Sequence, residues 1–436
     1  MFTSPTMWRR SGMTSVVAAT LLIRTIATAQ PPAVDFVFIP AEDTQPGGPT
    51  YDFRISRFEI RNDQFVVFLN DALSNLNNER GQYMYFDTDT GDVYIHAEAT
   101  GSTGPNGAGT MLFGASANPH VSYNDASGEY EVAEGFEIHP VTGVTWYGAV
   151  KFCNWLTIDT GLALDARAYT EAPADDLNGW HPVTITTEAW ATRDLNDRER
   201  DDLLTKLGYR LPMDGGDLGG SPGAYNEWYK AAAWDGAGGV NRVYGFGRDE
   251  IGDRDANFRC SQDPFEDPDC IIGGTTPVGF YNGVNVLGDG ITPTADTDNP
   301  YHLYDLSGNV WEWMQDQSFD QADRRNRGGS FQSSDSVLAL TIEAERTADS
   351  ANSATGFRVV QTVVDDLLVT PDVELINRGP WGGPYDDDLP TTITYRVTNV
   401  TDQAVTFAVL SDAGWATVAY DAPPDDVLPG YWSVDV

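Results

Sequence analysis

The stretch Tyr301–Asp316, YHLYDLSGNVWEWMQD, decides how the rest of the chain is read. Val310, Glu312 and Met314 alternate with Trp311, Trp313 and Gln315, the two-residue period of a β-strand with one aromatic face. Ser307-Gly308-Asn309 just before it supplies a turn, because Gly and Asn reach positive φ at little cost. Asp305 and Glu312 flank that turn, with backbone carbonyls between them. An all-oxygen set of this kind suits a hard cation such as calcium. Spacing alone leaves two readings open: a plain turn into a buried aromatic strand, or that turn with a metal site on it.

Around this stretch lie 436 residues, enough for two or three domains. Aromatics, Gly, Pro, Asn and Asp are abundant and long apolar helical patterns few, which predicts a loop-rich fold with strands rather than a helical bundle. The formal charge is −39. Such a surface repels nucleic acid and anionic lipid and excludes both as partners. Lysine occurs at three positions, Lys151, Lys206 and Lys230, so arginine carries most of the positive charge.

The N-terminus reads as a targeting signal. Arg9 and Arg10 form a basic region, Gly12–Ile23 a short apolar one, and Ala27-Thr28-Ala29 a small-x-small cleavage pattern before Gln30. Twelve residues are too few to span a membrane, and no cysteine follows to anchor a lipid. Residues 1–29 are therefore expected to be removed on export to the periplasm, cell surface or medium. In an exported chain Cys260 and Cys270 can close a short disulfide loop, while Cys153 sits in an apolar helical pattern as a buried thiol.

Taken in order, Val34–Pro40 and Tyr51–Ile60 read as strands. Asn62 is expected to cap a helix over Asp63–Ala72. Residues 77–135 read as a decorated loop region with a hairpin or two. Thr145 caps a helix from Trp146 to Thr157 with a stripe of Trp146, Ala149, Val150, Cys153 and Leu156. A polar helix is expected over Leu195–Leu207 and a second strong one over Asn226–Ala233. Two short strands, Arg324–Phe331 and Gly356–Val360, complete the unit. Beyond a linker at Asp365–Asp372 come short alternating strands separated by Gly, Asn, Asp and Pro, the pattern of a small β-sandwich over 369–436.

The blocks FEIRNDQFVVFLN, HPVTGVTWYGAVKFCNWL, YRLP with NEWYKAAAWDG, LYDLSGNVWEW, RGGSF and GFRVV stand in the order and spacing of the formylglycine-generating sulfatase-modifying-factor family. By this resemblance residues 34–364 are identified as a member of that family. The resemblance implies an α+β, C-type-lectin-like fold with little regular structure and bound calcium. The C-terminal part more weakly resembles the Ig-like modules of exported bacterial proteins, including the BACON type.

The characterised enzyme of that family oxidises a sulfatase cysteine to formylglycine, using copper held by two cysteines just after RGGSF. Here those positions fall on Ser333 and Leu338, and neither offers the thiolate that Cu(I) needs. The non-haem-iron branch needs clustered histidines; His96, His120, His139, His181 and His302 have no i+3 or i+4 partner, so neither copper nor iron is expected. The family's structural calcium positions do map. One set is Asp305, Gly308, Val310 and Glu312; the other is Asn257, Phe258 and Asp269, with Cys270 at the neighbouring register. A ligand groove is expected along Arg327, Ser330, Ser333 and Ser334, with His302 nearby. The expected function is an exported protein that binds a peptide, glycan or protein ligand. Two alternatives stand beside it: a metal-dependent oxidoreductase with altered ligands, and a structural component of the cell envelope.

Overall fold

The computed structural model describes residues 33–96, 108–162, 164–169, 195–215, 222–266, 273–317 and 323–363, with the backbone of five short strands between 367 and 435. The expected targeting segment 1–29, His181, Asp269 and Cys270 lie outside the described residues. Among the described residues, no helix is long and apolar enough to cross a membrane.

Two four-stranded sheets form the frame. The first runs in the order Phe36–Ile39, Phe53–Ser56, Val360–Thr362, Tyr209–Arg210, antiparallel throughout. The second runs Glu343–Thr347, Asp323–Arg327, Trp311–Gln317, Thr355–Gly356, with the last pairing parallel. Phe357–Val359 carries the chain from one sheet to the other, so the expected GFRVV strand is divided between them. The expected strand Arg324–Phe331 ends at Arg327, because Gly328 and Gly329 adopt φ of 93° and 77°. At Gly329 a side chain would also collide: a Cβ there would lie 2.8 Å from Leu338.

Trp311–Gln317 is buried at all seven positions. The alternation in its sequence therefore separates two buried faces, and the polar one is neutralised inside the protein. Glu312 receives the Arg358 guanidinium at 2.7 Å, and Asp316 receives that of Arg200 at 2.8 Å.

Helix Trp146–Asp159 starts where its sequence says, with Thr145 Oγ1 accepting the Gly148 N–H at 3.1 Å. Almost all of it is buried, and at Gly148 a Cβ would sit 2.0 Å from the Leu112 carbonyl oxygen, so that strand and helix touch backbone to backbone. Helix Asn62–Ser74 differs from expectation at its start. Arg61 is the cap and its N–H is accepted by Gln64 Oε1 at 3.0 Å, while the Asn62 side chain reaches the Phe136 carbonyl instead. Asn196 and Asn226 cap the shorter helices Asp197–Leu204 and Glu227–Ala233. The region 77–135 does carry hairpins, Met84–Phe86 with Val93–His96 and Val121–Asn124 with Glu129–Val132. In the C-terminal part Leu367–Pro371, Tyr395–Asn399 and Ser433–Asp435 form one antiparallel sheet, and Val405–Thr406 pairs with Val427–Leu428. The rest of the sandwich expected there lies outside the described residues.

Phe65, Phe68, Phe152 and Phe357 form an aromatic core under the two long helices. Beside it lies a fully buried ion pair: Arg210 contacts both Glu227 oxygens at 2.5 Å, and Glu227 also accepts the Met213 N–H. His139 is buried too, its Nδ1 3.0 Å from Thr275 Oγ1 and its ring packed between Phe136 and Phe265. Burial holds it neutral, pushing its pKa down from 6.5 to about 3.

Two measurements follow from these buried charges. Glu227→Ala leaves Arg210 unpaired in the core and is expected to cost about 3–5 kcal/mol in urea unfolding, with the Arg210→Met/Glu227→Met double variant losing much less. For His139 the unfolded state binds a proton between about pH 6.5 and 3 and the folded state does not, so this residue's contribution falls as pH drops, by at most about 1.4 kcal/mol per unit. The stability gap between wild type and His139→Gln should therefore narrow on going from pH 7 to pH 5; a constant gap counts against a neutral buried imidazole.

Candidate functional site

The turn before Trp311 is built on three residues at positive φ: Asp305 at 59°, Gly308 at 101° and Asn309 at 60°. Gly308 has no substitute, since a Cβ there would come 2.4 Å from the Asn257 carbonyl oxygen. Asn309 tolerates this conformation and uses its amide as a hub. Its Nδ2 donates to Glu59 Oε2 at 2.7 Å, and its Oδ1 accepts from the Thr276 N–H at 3.0 Å. Glu59 Oε1 accepts the Val310 N–H at 3.1 Å. Glu59 is therefore part of the site, although its place in the FEIRN block looked like an ordinary strand position.

Glu59 and Glu312 are buried and Asp305 is half-buried around this turn, and the Arg358 guanidinium acts on all three. Glu312 is the most fully engaged, accepting from Arg358 Nε at 2.7 Å and from Trp228 Nε1 at 2.8 Å. Asp305 Oδ2 accepts the Gly279 N–H at 2.6 Å. Loss of water raises all three pKa values despite Arg358, Asp305 to about 6. Of the three, only Glu312 is paired with Arg358, so any charge on Glu59 or Asp305 lacks a cationic partner in contact. Protons or a divalent cation would compensate it.

In the second predicted set, Asn257 Oδ1 is buried and has no hydrogen-bond partner, while its Nδ2 donates to the Gly274 carbonyl at 3.0 Å. A buried, unpartnered amide oxygen is the donor type that a hard cation takes up. The Phe258 carbonyl already accepts the Ser261 N–H, and Asp269 lies outside the described residues. Among the described residues no three His, Cys, Asp or Glu side chains converge as a metal-holding set, so any cation here would depend on amide and backbone oxygens as well.

The predicted groove is not a continuous open surface. Arg327 is buried, paired with Asp214 at 3.0 Å and Glu343 at 3.2 Å. Ser330 is buried and its N–H donates to Ser333 Oγ. Ser333 and Ser334 are half-exposed on the following loop, where the Ser333 carbonyl accepts the Arg259 N–H. Leu338 is fully buried in an apolar cluster with Tyr244, Phe246, Ala256 and Phe258. His302 stands exposed and is bound to Asp298 at 2.7 Å. Cys260 carries a free, exposed thiol, so the expected pairing with Cys270 is not seen, and Cys153 is free and buried as expected.

No curated protein matches the sequence. Among solved structures, CarF aligns at 20% identity with a TM-score of 0.40, over 76% of this chain and 99% of its own. Treponema denticola variable protein 1 aligns at 18% identity and 0.40, over 75% and 95%. PvdO from Pseudomonas aeruginosa aligns at 16% and 0.34, over 76% and 92%. At this level of similarity they speak to neither substrate nor reaction. A sequence profile of the sulfatase-modifying factor enzyme 1-like domain matches residues 49–363, covering the second sheet, the first sheet apart from strand Phe36–Ile39, the helices and the turn at Gly308. The chain belongs to the sulfatase-modifying factor enzyme 1-like family.

Proposed function

We propose that this chain is an exported, calcium-stabilised member of the family that binds a peptide, glycan or protein ligand and does not carry out copper-dependent cysteine oxidation. The observation that carries the reading is Leu338. It stands where the second copper thiolate of the family falls, and it is packed into the apolar cluster of Tyr244, Phe246, Ala256 and Phe258. An isobutyl group supplies no metal ligand, and Ser333 supplies a hydroxyl tied to the Ser330 N–H rather than a soft donor. Neither remaining described cysteine replaces the pair, since Cys153 is buried in a helix and Cys260 stands alone. The targeting segment 1–29 and the C-terminal strands support an exported, modular protein.

Calcium would be held by Asn257 and the Phe258 carbonyl in one set, with Asp269, and by Asp305, Glu312 and the carbonyls of Gly308 and Val310 in the other. Its chemistry here is charge compensation in a loop-rich region. The support is the unpartnered Asn257 oxygen and the excess of buried carboxylate around Arg358.

Two experiments test these readings. Titration with Cu(I) against a competing chelator, with oxygen uptake on a cysteine-containing peptide, is expected to find no stoichiometric copper and no turnover. The Ser333→Cys/Leu338→Cys variant should gain a Cu(I) site, and turnover by the wild type would end the non-catalytic reading. For calcium, a hundredfold excess over Kd would add about 2.7 kcal/mol, so EGTA should lower the melting midpoint by several degrees. Asn257→Ala should reduce that EGTA response, and an unchanged midpoint on chelation would remove calcium from the proposal.

A further inference from the structure

We propose that the peptide bond between Asp263 and Pro264 is a self-cleavage site, opened in the folded chain by the Asp263 side chain. The bond is the weakest kind of amide for this purpose. Proline contributes a tertiary nitrogen without an N–H, and its cyclic secondary amine is a good leaving group once protonated. The surrounding loop holds both oxygens of the Asp263 carboxyl and its main-chain oxygen through hydrogen bonds.

The Asp263 side chain is buried while Pro264 is exposed, so the carboxyl is sheltered and the departing amine meets water. Its Oδ1 is held by the Phe265 N–H at 2.7 Å and its Oδ2 by the Ser261 hydroxyl at 3.0 Å. The Asp263 main-chain oxygen, on which negative charge would develop, accepts the Glu266 N–H at 3.3 Å. That donor has the role of an oxyanion-hole contact. Cys260 and Gln262 take φ of 72° and 60°, so two non-glycine residues in left-handed backbone precede the bond within four positions. The loop is fastened from outside by the Gly288 N–H, 2.7 Å from the Gln262 carbonyl.

The chemistry balances with water as the one co-reactant. The Asp263 carboxyl passes its proton to the Pro264 nitrogen as its oxygen adds to the Asp263 carbonyl carbon. The C–N bond breaks, leaving a five-membered cyclic anhydride on one piece and a free proline amine on the other. Water opens the anhydride and restores both carboxyls. Burial favours the reactive, protonated form by raising this group to about 6. Glu266, whose carboxylate is fixed on the Cys260 and Gln262 N–H groups, and Tyr281, whose hydroxyl reaches Ser261, are the titratable neighbours that face it. The two pieces would stay associated, because Val360–Thr362 is paired on both sides with strands that precede the cut.

The test holds the purified full chain at one pH unit below and one above 6, natively and in guanidinium chloride, and reads intact mass after denaturation. The native chain at the lower pH should separate into two pieces meeting between Asp263 and Pro264. It should do so about tenfold faster than at the higher pH, which is the change in the protonated carboxyl. Asp263→Asn keeps an oxygen for the Phe265 N–H and should abolish the cut, as should Pro264→Ala; circular dichroism confirms that both remain folded. Asp267-Pro268 is a second bond of the same type in the sequence. Equal cutting at both bonds, an equal rate in guanidinium, persistence in Asp263→Asn, or a native chain that stays whole would each overturn the proposal.

Discussion

The contact that the domain depends on is the one between Arg358 and Glu312. Arg358 lies in the crossing from one sheet to the other, and Glu312 lies in the central strand of the second sheet. The same guanidinium donates to the carbonyls of Ser56, Arg57 and Tyr304, so one side chain ties the first sheet, the crossing and the approach to the Gly308 turn together. A buried pair of this kind adds little net stability against an apolar replacement but is severe to break on one side. Its effect here is positional. With Arg358 fixed, the turn from Asp305 to Val310 has a defined floor.

That floor is also what concentrates charge. The loops around Asn257, Gly274 and Thr276 close over the turn and shut out water, which is why Asp305, Glu59 and Glu312 all resist ionisation. Glu59 and Glu312 are buried and Asp305 is half-buried at this one turn, and either protonation or a bound cation would offset their charge. The proposed cation framework rests on this acidity as well as on the spacing of Asp305 and Glu312.

Local patterns carried much of the fold. Thr145 and Asn226 cap the helices that follow them, and the central strand falls where the two tryptophans alternate. What the sequence did not reveal is long-range. Glu59 meets Asn309 across 250 positions, and nothing near Glu59 marks it as different from its strand neighbours. Their position in the RGGSF block predicts an open groove at Arg327 and Ser330, yet Ser330 is buried and Arg327 is absorbed by Asp214 and Glu343. The early end of the RGGSF strand was readable in principle from its paired glycines, whose positive φ is incompatible with a pleat. That Ser333 and Leu338 are not thiols is read from the sequence alone, whereas the packing around Leu338 is a property of the folded chain.

The order of the first sheet has a consequence for how the protein is made. Its strand Val360–Thr362 lies between Phe53–Ser56 and Tyr209–Arg210, so the sheet has a gap until the last part of the domain has been synthesised. Arg358, in the same late segment, arrives with it. Contacts of such high sequence separation fold slowly and cannot form vectorially from the N-terminus. The first sheet therefore cannot close around Val360–Thr362 until nearly the whole domain is present.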